Sequence, residues 1–269
     1  MLTWATSAGH PGRANEDFVG AVPGALVLVD GAGITGAEDL CRHGTAWYAH
    51  RLGATLLARL SLANAGGTRP DLAEVLAAAI DEVTDAHRDE CRVTDPSSPC
   101  GTVGVLRVAD GRVDHLLLGD SVIVLDVVDG PPHVVEDRRE PETARQFRAA
   151  LDSVAEGTSE HARVLEEART VFRSKRNQPG GFWVAKDDAS VVAEAISGSY
   201  DLAALRGAVV LSNGASRVVD RFGLLTWAQL PTSDPDHLVR MVREAERIEG
   251  VDADDATAAC WRWVPTSFS

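Results

Sequence analysis

Residues 102–128, TVGVLRVADGRVDHLLLGDSVIVLDVV, hold three short apolar runs separated by two turns. The runs are Thr102 to Val108, Val113 to Leu118 and Val122 to Val128; the turns are Asp110-Gly111 and Gly119-Asp120-Ser121. Each run has strand length and is rich in Val, Leu or Ile. Turns this short join antiparallel neighbours, because a parallel crossover takes a dozen residues or more. The stretch therefore reads as a meander, which argues against the strict strand–helix alternation of a doubly wound sheet.

Upstream, Phe18 to Val22 and Ala25 to Val29 flank Pro23-Gly24 as a hairpin, and the second run stops at Asp30-Gly31-Ala32-Gly33. Two helices are predicted next, over 39–62 and 71–92. Leu52, Leu56, Leu57 and Leu60 recur at helical spacing in the first, and Leu72, Leu76, Ile80 and Val83 in the second. Downstream come helices over 142–151 and 159–172, a strand over 208–211 running into Ser212-Asn213-Gly214, a helix over 235–247 and a strand over 257–264. No repeat or low-complexity linker divides the chain. The order of elements predicts one α+β domain over 1–269, with antiparallel sheets covered by helices.

The 269 residues include 40 Asp and Glu against 26 Lys and Arg, for a formal net charge of -14. Such a chain repels phosphate backbones and anionic bilayers, so neither nucleic acid nor a membrane surface is an expected partner. No apolar run approaches the roughly 20 residues that span a bilayer. No signal peptide is visible at Met1-Leu2-Thr3-Trp4, and the expected location is cytoplasmic. The cysteines (Cys41, Cys91, Cys100, Cys260) lie far apart, with no C-x-x-C pair and no nearby His at zinc spacing, and are expected to be buried, reduced thiols. Trp227, Trp261 and Trp263 are expected in the core. Lys186-Asp187-Asp188 is expected to open a helix, and the basic run Arg173-Ser174-Lys175-Arg176 to close one.

The chain has no phosphate-binding P-loop, no dinucleotide fingerprint and no nucleophile elbow. It offers instead acidic residues at strand ends: Asp17 before one strand, Asp30 after another, Asp120 between two, and Asp254-Asp255 before the last. Strands that share a sheet bring their ends together, and converging carboxylates repel unless a cation lies between them. Carboxylate and carbonyl oxygens are the ligands preferred by Mg2+ and Mn2+, and the glycine after Asp30 allows close backbone approach.

Six motifs in order resemble the metal-dependent serine/threonine protein phosphatases of type 2C, as found in bacteria. They are Arg13-Ala14-Asn15-Glu16-Asp17, Val29-Asp30-Gly31-Ala32-Gly33, Cys100-Gly101-Thr102, Gly119-Asp120-Ser121, Leu211-Ser212-Asn213-Gly214 and Asp254-Asp255-Ala256-Thr257. The resemblance implies a four-layer α-β-β-α sandwich with two central antiparallel sheets. It implies hydrolysis of phosphoserine or phosphothreonine in a phosphorylated protein partner by metal-activated water. Two Mg2+ or Mn2+ ions are implied, with room for a third, weaker one. By the same resemblance Asp30 bridges both metals, the Gly31 carbonyl binds one, and Asp254 completes the other shell with Asn213. Glu16 and Asp17 hold metal-bound waters, Asp120 serves the third position, and Arg13 grips the substrate phosphate.

Four departures stand out. Asn213 occupies a position where the family has a metal-binding Asp, which removes one negative charge from the site. Arg13 stands one residue closer to Glu16-Asp17 than usual, Val122 replaces a common Arg, and Ala32 stands where animal members carry His. Asn213 and the shortened Arg13 motif leave open a catalytically weak, phosphatase-like module that binds a phosphorylated partner. A phosphatase acting on small phosphate esters is a third reading.

Overall fold

The computed structural model describes residues 1–33, 39–151, 154, 155 and 157–263. Its first half runs β1 (Leu2–Ser7), β2 (Phe18–Val22), β3 (Ala25–Ala32), α1 (Gly44–Ala65), α2 (Leu72–Asp85), β4 (Cys100–Ala109), β5 (Arg112–Leu118) and β6 (Val122–Val127). The second half adds β7 (His133–Glu136), α3 (Arg139–Leu151), α4 (Ser159–Ser174), β8 (Ile196–Asp201), β9 (Leu205–Leu211), α5 (Asn213–Asp220), α6 (Pro235–Glu249) and β10 (Ala256–Arg262). One sheet has the order β2-β3-β4-β5-β8 and the other β1-β10-β9-β6-β7, with antiparallel neighbours throughout.

The strand sequences dictate the layering. β3 is apolar at every position from Ala25 to Val29, and all five residues are fully buried, because both faces are covered. Leu26 and Leu28 point between the sheets with Leu106 and Leu117, meeting Ile123, Leu125, Val210 and Ala259 from the other sheet. Ala25, Val27 and Val29 point outward under Leu52, Leu56 and Leu60 of α1 and Leu76, Ile80 and Val83 of α2. On the opposite flank, Val218 of α5 and Leu238 and Val242 of α6 cover Val124, Val209 and Ala258. Helix, sheet, sheet and helix thus stack in the expected four layers. The helix ends carry ordinary signals. Asp71 accepts from the Ala73 amide at 2.7 Å, Asp234 accepts from the His237 amide at 3.1 Å, and Gly250 ends α6 at φ 64°.

The meander is only half as expected. Asp110 (φ 52°) and Gly111 (φ 71°) make the tight two-residue turn that pairs β4 with β5. The next turn does not make a hairpin: β5 is flanked by β4 and β8, whereas β6 pairs with β7 and β9 in the other sheet. Both edges of β5 are taken, so the chain crosses the sandwich at Gly119 (φ 89°), where a Cβ would lie 2.7 Å from that of Thr102. A 2.6 Å hydrogen bond between the buried hydroxyls of Thr102 and Ser121 ties the corner.

Other boundaries also move. α1 starts at Gly44 rather than residue 39, and α2 stops at Asp85 rather than 92. The strands β1, β7 and β8 and the helix α5 were not expected. The last strand ends at Arg262, and position 264 lies outside the described residues. The expected helix after Lys186 is a 3-10 turn over Ala189–Glu194, capped by the Asp188 carboxylate on the Ser190 amide at 2.9 Å. Trp227, Trp261 and Trp263 are half-buried against the core rather than inside it. Among the described residues no helix is long and apolar enough to cross a membrane.

Candidate metal centre

The sandwich brings the acidic motifs to one edge. Asp30 is the register partner of Thr102 near the start of β4, and Leu211 at the end of β9 faces both Val122 and Ala258. The end of β3 therefore meets the beginnings of β2 and β4, and the end of β9 those of β6 and β10. Glu16 and Asp17 precede β2, Asp30 and Gly31 lie in the last residues of β3, Asp120 precedes β6, Asn213 follows β9 and Asp254 precedes β10. The Asn213 amide donates to Oδ2 of Asp30 at 2.8 Å, and its side-chain Nδ2 donates to Oδ2 of Asp120 at 2.6 Å. The Gly31 amide donates to the Glu16 carbonyl at 3.2 Å, so no side chain fits at Gly31, where a Cβ would collide with that carbonyl. Asn15 shapes the first motif: its Oδ1 accepts from the Asp17 amide at 2.9 Å and its Nδ2 donates to Thr6 at 2.7 Å.

Asp17 is the buried floor of the cluster, at 4% exposure, and both its carboxyl oxygens lack a hydrogen-bond partner. The neighbouring hydroxyls are those of Thr257, which bonds Thr6 at 2.7 Å, and Ser212, which accepts from the Thr257 amide at 2.9 Å. Burial pushes Asp17 up to about 7, although Thr257 and Ser212 oppose the rise. Asp30 is raised well above the carboxylate range, first by burial and then by the charges of Asp17, Asp120 and Asp254. Burial lifts Asp120 to about 6, with Asn213 holding it down. Glu16 rises through burial and the nearby Asp255. Buried acids that raise one another in this way lose their mutual repulsion on taking up a proton or a cation. The donors are carboxylate oxygens, the Gly31 carbonyl and the Asn213 amide oxygen, a set that suits Mg2+ or Mn2+.

Several supporting residues escaped sequence reasoning. Asp255 accepts from the Gly9 amide at 2.7 Å and the Glu16 amide at 2.5 Å, clamping the first motif to the last. Arg217, one helical turn beyond Asn213, donates to Asp254 at 2.7 Å and to the buried Glu246 at 2.9 Å. Arg243 donates to the other Glu246 oxygen at 2.6 Å and to the Asp254 carbonyl at 2.6 Å. Glu140 of α3 lies beside Asp120; burial, then that neighbour's charge, raises it to about 8. The helix-breaking look of Ser212-Asn213-Gly214 hid the Arg217 spacing, and no local signal marks Glu140.

A cleft of about 510 Å3 opens beside the cluster, lined by Arg13, Glu16, Asp254 and Asp255 on one side and Cys41, His43 and Thr45 on another. Arg13 lies exposed on its rim, held by a turn in which its amide donates to the His10 carbonyl at 3.2 Å. Acidic floor and basic rim form a mouth that can take a phosphate.

The family model described as protein phosphatase 2C matches residues 6–173, more than half of the chain. A search of curated proteins finds no match. Among solved structures, the PPM Ser-Thr phosphatase MsPP from Mycobacterium smegmatis, in complex with cacodylate, superposes with a TM-score of 0.55 at 19% identity, covering 98% of each chain. The serine/threonine phosphatase Stp1 from Staphylococcus aureus gives 0.56 at 13%, covering 98% of this chain and 94% of its own. The Mycobacterium tuberculosis serine/threonine phosphatase PstP/Ppp gives 0.53 at 16%, covering 97% of each. At these identities the superpositions establish the shared fold, and the family match goes further: the chain belongs to the protein phosphatase 2C family.

Proposed function

We propose that this protein hydrolyses phosphoserine or phosphothreonine in a protein partner, with Mg2+ or Mn2+ held by the acidic cluster. The observation that carries the reading is Asp17: a buried carboxylate with both oxygens unpartnered, beside Asp30 in a set of oxygen donors. When bound, two divalent cations supply an activated water and offset charge on the phosphate. Asp30, the Gly31 carbonyl, Asp254 and Asn213 would hold the two cations. Glu16 and Asp17 would accept hydrogen bonds from water on the cations, and Asp120 would serve a third, more weakly held ion. Arg13 receives the phosphate at the rim, where a planar guanidinium matches two of its oxygens. Asp255, Arg217 and Arg243 keep the motifs in register.

One observation favours a second reading. The Asn213 side chain already bonds Asp120, so an internal hydrogen bond stands where the family pattern calls for a negative charge. That arrangement suits a weakly catalytic module that holds a phosphorylated protein at Arg13. Phosphate release from a phosphothreonine peptide and from a small aryl phosphate, with saturating Mn2+, separates the readings. Turnover of the peptide that is lost in Asp30→Ala supports the enzyme. Peptide binding without turnover above that control supports the module.

A further inference from the structure

We propose that Cys41, His43 and Cys91 form a zinc-binding site on the wall of the cleft, separate from the acidic cluster. The proposal does not depend on the phosphatase reading. The three residues offer two sulfurs and one imidazole nitrogen, all within 4.8 Å of one another. His43 Nδ1 lies 3.5 Å from the Cys91 sulfur. Tetrahedral zinc with bonds of ~2.3 Å to sulfur and ~2.0 Å to nitrogen places neighbouring ligands roughly 3.5–3.8 Å apart, so the cluster needs little contraction. Thiolate and imidazole together select zinc over the hard cations that suit the carboxylates.

The backbone builds this convergence across fifty residues of sequence. Cys41 and Gly44 close a turn (Gly44 amide to Cys41 carbonyl, 3.2 Å) that sets Cys41 and His43 on one side of the start of α1. The segment after α2 folds back, and the Arg92 amide donates to the Leu40 carbonyl at 2.8 Å, which brings Cys91 opposite Cys41. Both are free thiols; Cys41 is buried at 4% exposure and Cys91 is half-buried.

The surroundings also support a ligand role. The His43 ring stacks on Trp47 at 4.4 Å between centroids, which fixes its plane. Its far nitrogen, Nε2, lies 3.8 Å from a Glu90 carboxylate oxygen, and Glu90 is itself held by Arg42. A small approach lets Glu90 accept the Nε2 proton's hydrogen bond, which leaves the Nδ1 lone pair facing the sulfurs. Cys41 and His43 line the open cleft, so a water can take the fourth position. Thr45, two residues past His43, lines the same cleft as Glu16, so the zinc site would share a wall with the acidic one.

The test uses the reduced, full-length protein with one equivalent of Zn2+ in excess Mg2+, followed by desalting and metal analysis. One zinc per chain is expected, retained in Asp30→Ala and lost in Cys41→Ser and in Cys91→Ser. Cobalt provides an arm that needs no mutation. Wild-type protein loaded with one equivalent of Co2+ should show the near-ultraviolet thiolate-to-cobalt charge-transfer band that carboxylate ligands do not produce. Zinc retained equally by both serine variants would overturn the proposal. So would absence of the cobalt band, or isolation of the protein with a Cys41–Cys91 disulfide that leaves it unable to bind zinc after reduction.

Discussion

Asn213→Asp is the substitution that most sharply probes the acidic cluster. In the structure Nδ2 of Asn213 lies 2.6 Å from Oδ2 of Asp120, and the backbone amide of the same residue lies 2.8 Å from Asp30. Replacing the amide group removes a hydrogen bond to a carboxylate, worth about 1.5–3 kcal/mol. It also sets two carboxylates roughly 4 Å apart, where like charges repel by about 4 kcal/mol at an effective dielectric constant of 20. Proton uptake limits that repulsion, because burial already lifts Asp120 to about 6. A net loss of about 2–4 kcal/mol at pH 8 without metal converts to a fall in Tm of roughly 5–15 °C for a chain of this size. Saturating Mn2+ should reverse the loss, since binding to the folded state alone adds stability as concentration exceeds Kd. Thermal unfolding in EDTA and in a Mn2+ series measures both effects. A variant as stable as wild type in EDTA, or one whose deficit persists in Mn2+, refutes the reasoning.

Three further outcomes are expected. With metal removed, stability should fall as pH rises: Asp17 titrates at about 7 folded against 3.8 unfolded, so its contribution is intact below pH 4 and lost through pH 7. Asp17→Asn should flatten that slope in EDTA and reduce the Mn2+-induced shift in Tm, as calorimetry at several pH values would record. Arg13→Ala should lower kcat/KM for a phosphopeptide by about 10–100-fold, the loss of about 1.5–3 kcal/mol from a charged hydrogen bond, with the Mn2+-induced Tm shift unchanged. Leu28→Ala, fully buried between the sheets, should cost about 2–5 kcal/mol in urea unfolding while leaving the metal response intact.

Strands with continuous apolar runs bounded by turn residues were legible, because burial on both faces leaves no polar position from Ala25 to Val29 in β3 or from Val122 to Leu125 in β6. The elements that escaped lack that mark. β8 (ISGSYD) is an edge strand with mostly exposed residues, β7 has four residues, and in β1 Thr3 and Trp4 are both exposed. A three-residue turn does not by itself state whether its strands pair; at Gly119-Asp120-Ser121 the saturated edges of β5 decide, and those depend on β8, far along the chain. The candidate site divides in the same way. Asp17, Asp30, Asp120 and Asp254 sit at strand ends that the sequence exposes, and Asn213 in a motif that the family resemblance marks. The Asp255 clamp on Gly9 and Glu16, the Glu246–Arg217–Asp254 chain and the Cys41–Cys91 approach join residues distant in sequence. Only the folded chain brings those groups together.

The most direct test of the central claim is anomalous diffraction at the manganese edge from a crystal soaked in Mn2+. The account predicts two strong peaks within bonding distance of Asp30, one reached by the Gly31 carbonyl and the other by Asp254, with water between them and Asp17. An acidic cluster free of anomalous density at saturating Mn2+, or peaks confined to surface carboxylates elsewhere, would contradict it.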